Sequence, residues 1–200
     1  MQKLLSFLLH EEENLHYQSI ENITIISGNV VACDPNFFEE STPFQKNIQP
    51  GSYPVSLLLD KENSVAGSLI TFSNQKPVRF EMATKPGQHI KNLEKNMIFG
   101  HPVDTGLSCF ADGSAVLKME ELERKKINEL GDDFISFYDD VLEEKLEEHD
   151  DVWGNLILDE EHNLNALVFS SGYGDGFYAS YWGIDEKGHV VSLVTDFNIL

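Results

Sequence analysis

Short hydrophobic runs separated by polar turns dominate the first half of the chain, and this pattern predicts β-strands. The runs lie at Ile23–Ile26, Val30–Pro35, Tyr53–Leu59, Val65–Phe72 and Val78–Ala83, with turn-forming Gly, Pro, Asn and Ser between them. Short polar connections join the last three runs. The sequence therefore predicts that these three strands form an antiparallel meander.

The same strand pattern returns near the C-terminus. An interrupted extended segment at Met97–Phe110 comes first, and four strands follow at Leu156–Leu158, Ala166–Ser170, Phe177–Trp182 and Val190–Phe197. Between the second and third of these strands, Gly172, Gly174 and Gly176 bracket Asp175. Glycines at this density indicate a tight corner. They lead into an aromatic strand and not into a helix, which excludes a phosphate-binding loop.

Three segments have helical periodicity instead. The spacing of Leu4, Leu5, Leu8, Leu9 and Leu15 predicts an opening helix over Met1–Tyr17. The second segment has its apolar face at Leu117, Leu122, Ile127 and Leu130 and ends at Gly131. The third helix opens on Asp132 and Asp133, and its apolar positions are Phe134, Phe137, Tyr138, Val141, Leu142 and Leu146.

This order of elements predicts an α+β fold. We expect mainly antiparallel sheets, an N-terminal helix, and an acidic helical pair inserted between two sets of strands. A parallel, doubly wound sheet requires strands that alternate with helices, and the sequence does not show this alternation. With 200 residues, 41% of them hydrophobic, the chain is expected to form a single domain over residues 1–200.

Charge narrows the possible partners. The net charge of −20 argues against binding to nucleic acid or to an anionic membrane surface. Residues 120–151 alone hold 14 acids against four bases. The apolar run Leu4–Leu9 is too short for a signal peptide or a membrane span, so we expect a cytoplasmic protein. Cys33 and Cys109 are far apart in apolar segments and are interpreted as buried free thiols.

Five short motifs, in order along nearly the whole chain, resemble the bacterial domain-of-unknown-function family 4241. They are Val31–Pro35, Pro50–Val55, Val103–Gly106 with Cys109–Asp112, Ser171–Gly176 with Tyr178, and Asp196–Phe197. The resemblance implies no particular activity, so it assigns no catalytic residue. It does imply that five aspartates occupy motif positions of the family: Asp34, Asp104, Asp112, Asp175 and Asp196.

Four of these aspartates are candidate metal ligands, because they lie at predicted strand ends or in the glycine corner: Asp104, Asp112, Asp175 and Asp196. If the fold brings them together, their oxygens suit Mg²⁺ or Ca²⁺, and a bound metal would activate water for hydrolysis. His101, three residues before Asp104, would then be a candidate base. The alternative interpretation is that each aspartate caps a turn by accepting hydrogen bonds from nearby backbone amides.

The other candidate site is the acidic face of the third helix, opposite its apolar face: Asp139, Asp140, Glu143, Glu144, Glu147 and Glu148. Such a face can be an ordinary solvated surface, or it can attract a basic protein partner. An inhibitor or immunity protein that covers the basic site of a nuclease toxin would have this charge. We expect a non-enzymatic binding protein without a cofactor, and keep the metal-assisted hydrolase as the alternative.

Overall fold

The computed structural model describes residues 3–10 and 15–200, which form two facing antiparallel sheets with helices on both outer sides. This is the α+β architecture predicted from the sequence. Its helices and strands are α1 (Lys3–His10), β1 (His16–Ile25), β2 (Val30–Cys33), β3 (Gly51–Leu59), β4 (Val65–Thr71), β5 (Arg79–Met82), β6 (His101–Val103), β7 (Leu107–Asp112), α2 (Ala115–Leu130), α3 (Glu143–Glu147), β8 (Trp153–Asp159), β9 (Leu164–Ser170), β10 (Gly176–Ile184) and β11 (Val190–Asp196).

The larger sheet contains seven strands in the order β1-β3-β4-β11-β10-β5, with β6 paired to β10. The predicted meander is correct for β3 and β4 but wrong for β5, because β11 and β10 lie between β4 and β5. The apolar β11 is buried along almost its whole length, as a central strand should be. The short β5 is only partly buried and takes an edge position.

The smaller sheet contains four strands in the order β2-β7-β9-β8. Strand β2 is an edge strand whose register on β7 places Cys33 opposite Cys109. The chain crosses from this sheet to the larger one at the glycine corner between β9 and β10. Gly172 and Gly174 have φ values of +75° and +106°, which only glycine adopts readily.

The space between the sheets is filled by aromatic and branched side chains. Trp182 packs edge-on against Phe44 with ring centroids 5.7 Å apart, and Phe110 contacts Phe169 at 5.2 Å. Burial of each such side chain stabilises the fold by roughly 1.5–3 kcal/mol. This core fixes the positions of the strand ends, where the candidate aspartates lie.

Helix α2 and the helical segment from Phe137 through α3 cover the outer face of the smaller sheet. The predicted apolar face of α2 is wrong at three of its four positions, whereas Leu122 is partly buried and packs against the core. Leu117, Ile127 and Leu130 are exposed, whereas Ala115 and Met119 are buried. Ala115 and Met119 are one helical turn apart and face the sheet, so Leu117, only two residues beyond Ala115, points away from it.

The buried face of the third predicted helix is confirmed, although its start is not. Phe137, Val141, Leu142 and Leu146 are buried against the smaller sheet. The expected start at Asp132 and Asp133 is a short 3₁₀ turn instead, and a π-helical turn at Tyr138–Leu142 precedes α3.

Helix α1 covers part of the outer face of the larger sheet, with Leu4 and Leu5 buried. The predicted opening helix was too long, because His16 and Tyr17 already belong to β1 and pair with β3. Residues 1–2 and 11–14 of that prediction lie outside the described part of the chain. None of the helices within residues 3–10 and 15–200 is long and apolar enough to cross a membrane.

Candidate functional site

Asp112 is a structural residue at the end of β7, with no exposed surface. Its Oδ2 accepts hydrogen bonds from the Ile26 and Ser27 amides at 3.0 and 2.9 Å and from the Ser27 hydroxyl at 2.8 Å. Its Oδ1 accepts from the amide and hydroxyl of Ser114. The carboxylate thus ties the end of β1 to the start of α2, and both of its oxygens are in use.

Asp34, which directly follows β2, is also a structural residue. Its carboxylate accepts hydrogen bonds from the Asp104 amide at 2.9 Å, the Thr105 amide at 3.0 Å and the Thr105 hydroxyl at 2.9 Å. It also accepts from the Asn36 amide at 2.9 Å. These bonds hold the turn between β6 and β7.

The four aspartates predicted to bind a metal do not form one cluster. Val103 pairs with Gly176, which places the exposed Asp104 and Asp175 just beyond the same end of the β6–β10 pair. Asp112 lies at the far end of β7, and Asp196 ends β11. Across residues 3–10 and 15–200, no group of three or more His, Cys, Asp or Glu is arranged to hold a metal ion. The metal hypothesis required the four aspartates to converge on one point, and within these residues they do not.

Asp196 differs from the other motif aspartates, because it is buried and accepts one hydrogen bond, from the Asn198 amide at 2.9 Å. Burial raises the pKa of its carboxyl above the ordinary value, and the Asn198 amide partly offsets that effect.

His101 does not serve as a base beside Asp104. Its side chain is buried in β6, and Nε2 lies 3.0 Å from the Ser108 hydroxyl. Burial, with a smaller contribution from the charge of Lys85, lowers the pKa of His101 to about 3. The imidazole is therefore neutral at physiological pH and has a structural hydrogen bond, whereas Asp104 is exposed to solvent.

The predicted acidic face lies on a surface that we call the helical layer, formed by residues 115–151. It includes α2, the 3₁₀ turn Gly131–Asp133, the connection 134–136 and the helical segment 137–147 with the turn after it. Its six predicted acids form two stripes with four-residue spacing. Asp139, Glu143 and Glu147 point to solvent. Asp140, Glu144 and Glu148 line a groove.

Some of these acids already have partners within the layer. Asp140 accepts hydrogen bonds from the Ile135 and Ser136 amides at 2.8 and 3.2 Å, and the Ser136 hydroxyl donates to Asp139. These contacts fix the start of the helix, as capping carboxylates do.

Lys145 neutralises part of the second stripe. Its ammonium lies 2.7 Å from the Glu148 carboxylate and 3.8 Å from that of Glu144. The hydrogen bond from Lys145 lowers the pKa of Glu148, and the same contact raises the pKa of Lys145. Glu143 and Glu147 form no hydrogen bond or ion pair with any described residue, so their charges are available to a partner.

The groove beside these stripes has a volume of about 550 Å³ and is lined jointly by α2, the helical segment and β8. Its apolar surface is contributed by Leu122, Val141, Leu156 and Ile157, and Lys126 and His149 also line it. Glu21 of β1 adds a fourth acid to Asp140, Glu144 and Glu148. Next to the groove, His149 stacks on Trp153 with ring centroids 3.6 Å apart.

Large apolar side chains are also exposed on the helical layer. Ile135 is 75% exposed and Leu117 is 63% exposed, and Ile127 and Leu130 are partly uncovered as well. Ile157, 51% exposed, adds apolar surface in the groove. The layer is therefore not the uniformly charged, solvated surface that its sequence suggests.

The chain matches the sequence model of a known family over most of its length. The sequence model of a family described as "protein of unknown function (DUF4241)" matches residues 23–195. The chain belongs to this family. The match confirms the resemblance read from the motifs, and it spans the glycine corner and the helical layer of this DUF4241 protein. The matched residues include Asp34, Asp104, Asp112 and Asp175, and Asp196 follows them directly. No curated protein and no solved structure matches the chain.

Sequence reasoning missed the residues that other elements bring to the groove. Glu21 comes from β1 and Ile157 from β8, both far from the helices along the chain. Successive side chains of a strand point to opposite faces, so Leu156 and Ile157 cannot both face the core. In β8, Leu156 is buried and Ile157 is exposed. Nothing in the sequence connects Glu21 with the helical layer.

Proposed function

We propose that this chain is a cytoplasmic, single-domain binding protein that engages a basic protein partner through the helical layer, as an inhibitor or immunity protein does. The observation that carries the proposal is the groove of the layer, where acidic residues surround exposed apolar surface. Interfaces between proteins commonly combine these two features, with apolar contacts at the centre and polar groups at the rim.

The electrostatic part of the proposal rests on unpaired charge. Glu143 and Glu147 face solvent without a partner among the described residues, and residues 120–151 contribute half of the net charge of −20. Charge concentrated on one face accelerates encounter with a molecule of opposite sign and disfavours acidic competitors. A basic partner is therefore the class that this surface favours.

The apolar part supplies affinity that charge alone does not. Ile135, Leu117 and Ile157 each expose half or more of their surface. Exposed apolar surface rimmed by polar residues is typical of interaction sites, and burying it on association is favourable. The lining would suit an arginine or lysine side chain of the partner, whose aliphatic stem would lie against Ile157 while its charge approaches the acids of the groove.

The proposal is tested by affinity capture from an extract of the source organism with three matched baits. The first is the wild-type chain, and the second carries Glu143→Lys and Glu147→Lys. The control carries Glu62→Lys and Glu186→Lys, which change the net charge equally at exposed turns of the larger sheet. We expect a basic protein to be retained by the wild type and the control, and to be lost from the Glu143/Glu147 variant.

Two outcomes would contradict the proposal. One is that the partner is retained equally by all three baits, because the layer would then not be the contact surface. The other is that the partner is lost from the control as well as from the Glu143/Glu147 variant, because the total charge and not its position would then control binding.

A further inference from the structure

The two cysteines of the chain meet in the core under the helical layer. Cys33 ends β2 and lies opposite Cys109 of β7 in the antiparallel register. The two Sγ atoms are 3.4 Å apart, and both cysteines are free thiols. Residues directly opposite on neighbouring antiparallel strands have close Cβ atoms, so joining the two sulfurs requires only a small local shift.

We propose that Cys33 and Cys109 form a peroxide-sensitive thiol pair that closes reversibly to an intramolecular disulfide. The pair lies outside the acidic groove, and the inference does not depend on the proposed function. The sequence-based prediction of two buried free thiols is confirmed, and it describes the reduced state of this pair.

The environment makes the two sulfurs unequal. Cys33 retains 5% of its surface exposed, whereas Cys109 has none. The hydrogen-bonded contact with Cys109 lowers the pKa of the Cys33 thiol against the opposing effect of burial, with smaller lowering contributions from Ser41 and Lys85. The contact with Cys33 and burial both raise the pKa of Cys109. Because the thiolate is the reactive form, Cys33 is the attacking sulfur and Cys109 the resolving one.

The chemistry is a two-electron oxidation with hydrogen peroxide as the oxidant. The Cys33 thiolate attacks one peroxide oxygen, and the O–O bond breaks. Cys33 becomes a sulfenic acid, and the hydroxide that is released takes up the proton lost by the Cys33 thiol to form water. The Cys109 sulfur then attacks the Cys33 sulfur, the S–O bond breaks, and water leaves with the Cys109 proton. In total, two thiols are oxidised to one disulfide and one peroxide is reduced to two waters.

The disulfide would link the edge strand β2 covalently to β7. Among the strands of residues 3–10 and 15–200, β2 pairs with β7 alone. The bond would form where β2 leaves the sheet, just before Asp34 binds the β6–β7 turn. The cross-link also closes a long loop, which restricts the unfolded chain. We expect the oxidised protein to exchange the amide hydrogens of β2 more slowly and to melt roughly 5–10 °C higher than the reduced protein.

The test treats the folded wild-type chain with hydrogen peroxide, then denatures and alkylates it without reduction. We expect a mass lower by two hydrogens, no alkylated cysteine, and one cross-linked peptide pair containing Cys33 and Cys109. Dithiothreitol should restore two alkylatable thiols. If both thiols remain alkylatable, or if the disulfide forms only in denaturant, the proposal is wrong.

A matched pair of variants tests the assigned roles. Cys109→Ser should stop at a Cys33 sulfenic acid that dimedone traps, because the resolving sulfur is missing. Cys33→Ser should oxidise much more slowly, since Cys109 is fully buried. Equal oxidation rates for the two variants would overturn the assignment of attacking and resolving sulfurs. Circular dichroism establishes that each variant is folded, and the wild-type result holds independently of both.

Discussion

Asp112 at the end of β7 has the same charge as Glu143 and Glu147 of the helical layer but the opposite environment. Asp112 is fully buried, and both of its oxygens accept hydrogen bonds from backbone amides and hydroxyls. Glu143 and Glu147 face solvent and have no partner among the residues the structure describes. A carboxylate whose hydrogen-bonding capacity is satisfied internally stabilises the fold, whereas one left in water can still meet another molecule.

Replacing Asp112 with alanine is expected to have the largest effect on stability. The substitution removes a buried carboxylate and leaves the amides of Ile26, Ser27 and Ser114 without their acceptor in a partly buried site. We expect the free energy of unfolding to fall by about 3 kcal/mol. Urea unfolding followed by circular dichroism measures the change. A loss below about 0.5 kcal/mol would mean that Asp112 is not a structural residue, and would remove one side of the comparison.

A smaller loss is expected at the glycine corner. At Gly172 an added Cβ would lie 2.9 Å from the Val65 carbonyl oxygen and 2.8 Å from Ile199 Cδ1. Gly188 has a similar positive φ, but its Cβ would meet nothing within 4 Å. We expect Gly172→Ala to cost about 2–3 kcal/mol and Gly188→Ala about 1 kcal/mol, as measured by urea unfolding. Equal losses would show that the corner is not tightly packed.

Asp196 is intermediate between Asp112 and the two glutamates, because it is buried but accepts a single hydrogen bond. Asp196→Asn should stabilise the protein at neutral pH, by less than the losses expected for Asp112→Ala and Gly172→Ala. Asparagine keeps the acceptor for the Asn198 amide and removes a buried charge. Because burial raises the pKa of Asp196 in the folded state, the wild type is relatively favoured when this group is protonated.

The pH dependence gives the sign of that effect. The difference between Asp196→Asn and the wild type should be absent well below the ordinary aspartate pKa. It should grow as pH rises through that value and the higher folded-state pKa, and then stay constant. Thermal unfolding across this pH series provides the measurement. A variant that is less stable than the wild type at neutral pH would indicate that the ionised carboxylate has a further partner.

The smallest effect is expected on the helical layer itself. Glu143→Gln with Glu147→Gln removes two charges that make no contact within the described chain, so the free energy of unfolding should change by less than about 0.5 kcal/mol. Urea unfolding next to Asp112→Ala makes the comparison direct. A loss of the size expected for Asp112 would show that these glutamates are structural too.

The sequence predicted those features that depend on local pattern. Short hydrophobic runs between polar turns correctly located most strands. The apolar positions Phe137, Val141 and Leu146 correctly identified the buried face of the third helix. The acids at Glu143 and Glu147 follow from the same periodicity, because they lie opposite that buried face.

Features that depend on long-range pairing could not be predicted. The insertion of β10 and β11 between β4 and β5 joins strands that lie far apart along the chain, and no local signal determines it. The same is true of the contact between Cys33 and Cys109 and of Glu21 in the groove. On α2, Leu117 and Ile127 look like core residues in the sequence, and only the packing of Ala115 against the sheet reveals that they are exposed.

The most direct test of the account measures the affinity of the captured partner by calorimetry as salt is raised from about 0.05 M to about 0.3 M. If the unpaired acids of the helical layer attract the partner, the affinity for the wild type should fall severalfold over this range. It should fall less steeply for the variant carrying Glu143→Gln and Glu147→Gln. A wild-type affinity that does not change with salt, or identical slopes for the two proteins, would contradict the central claim.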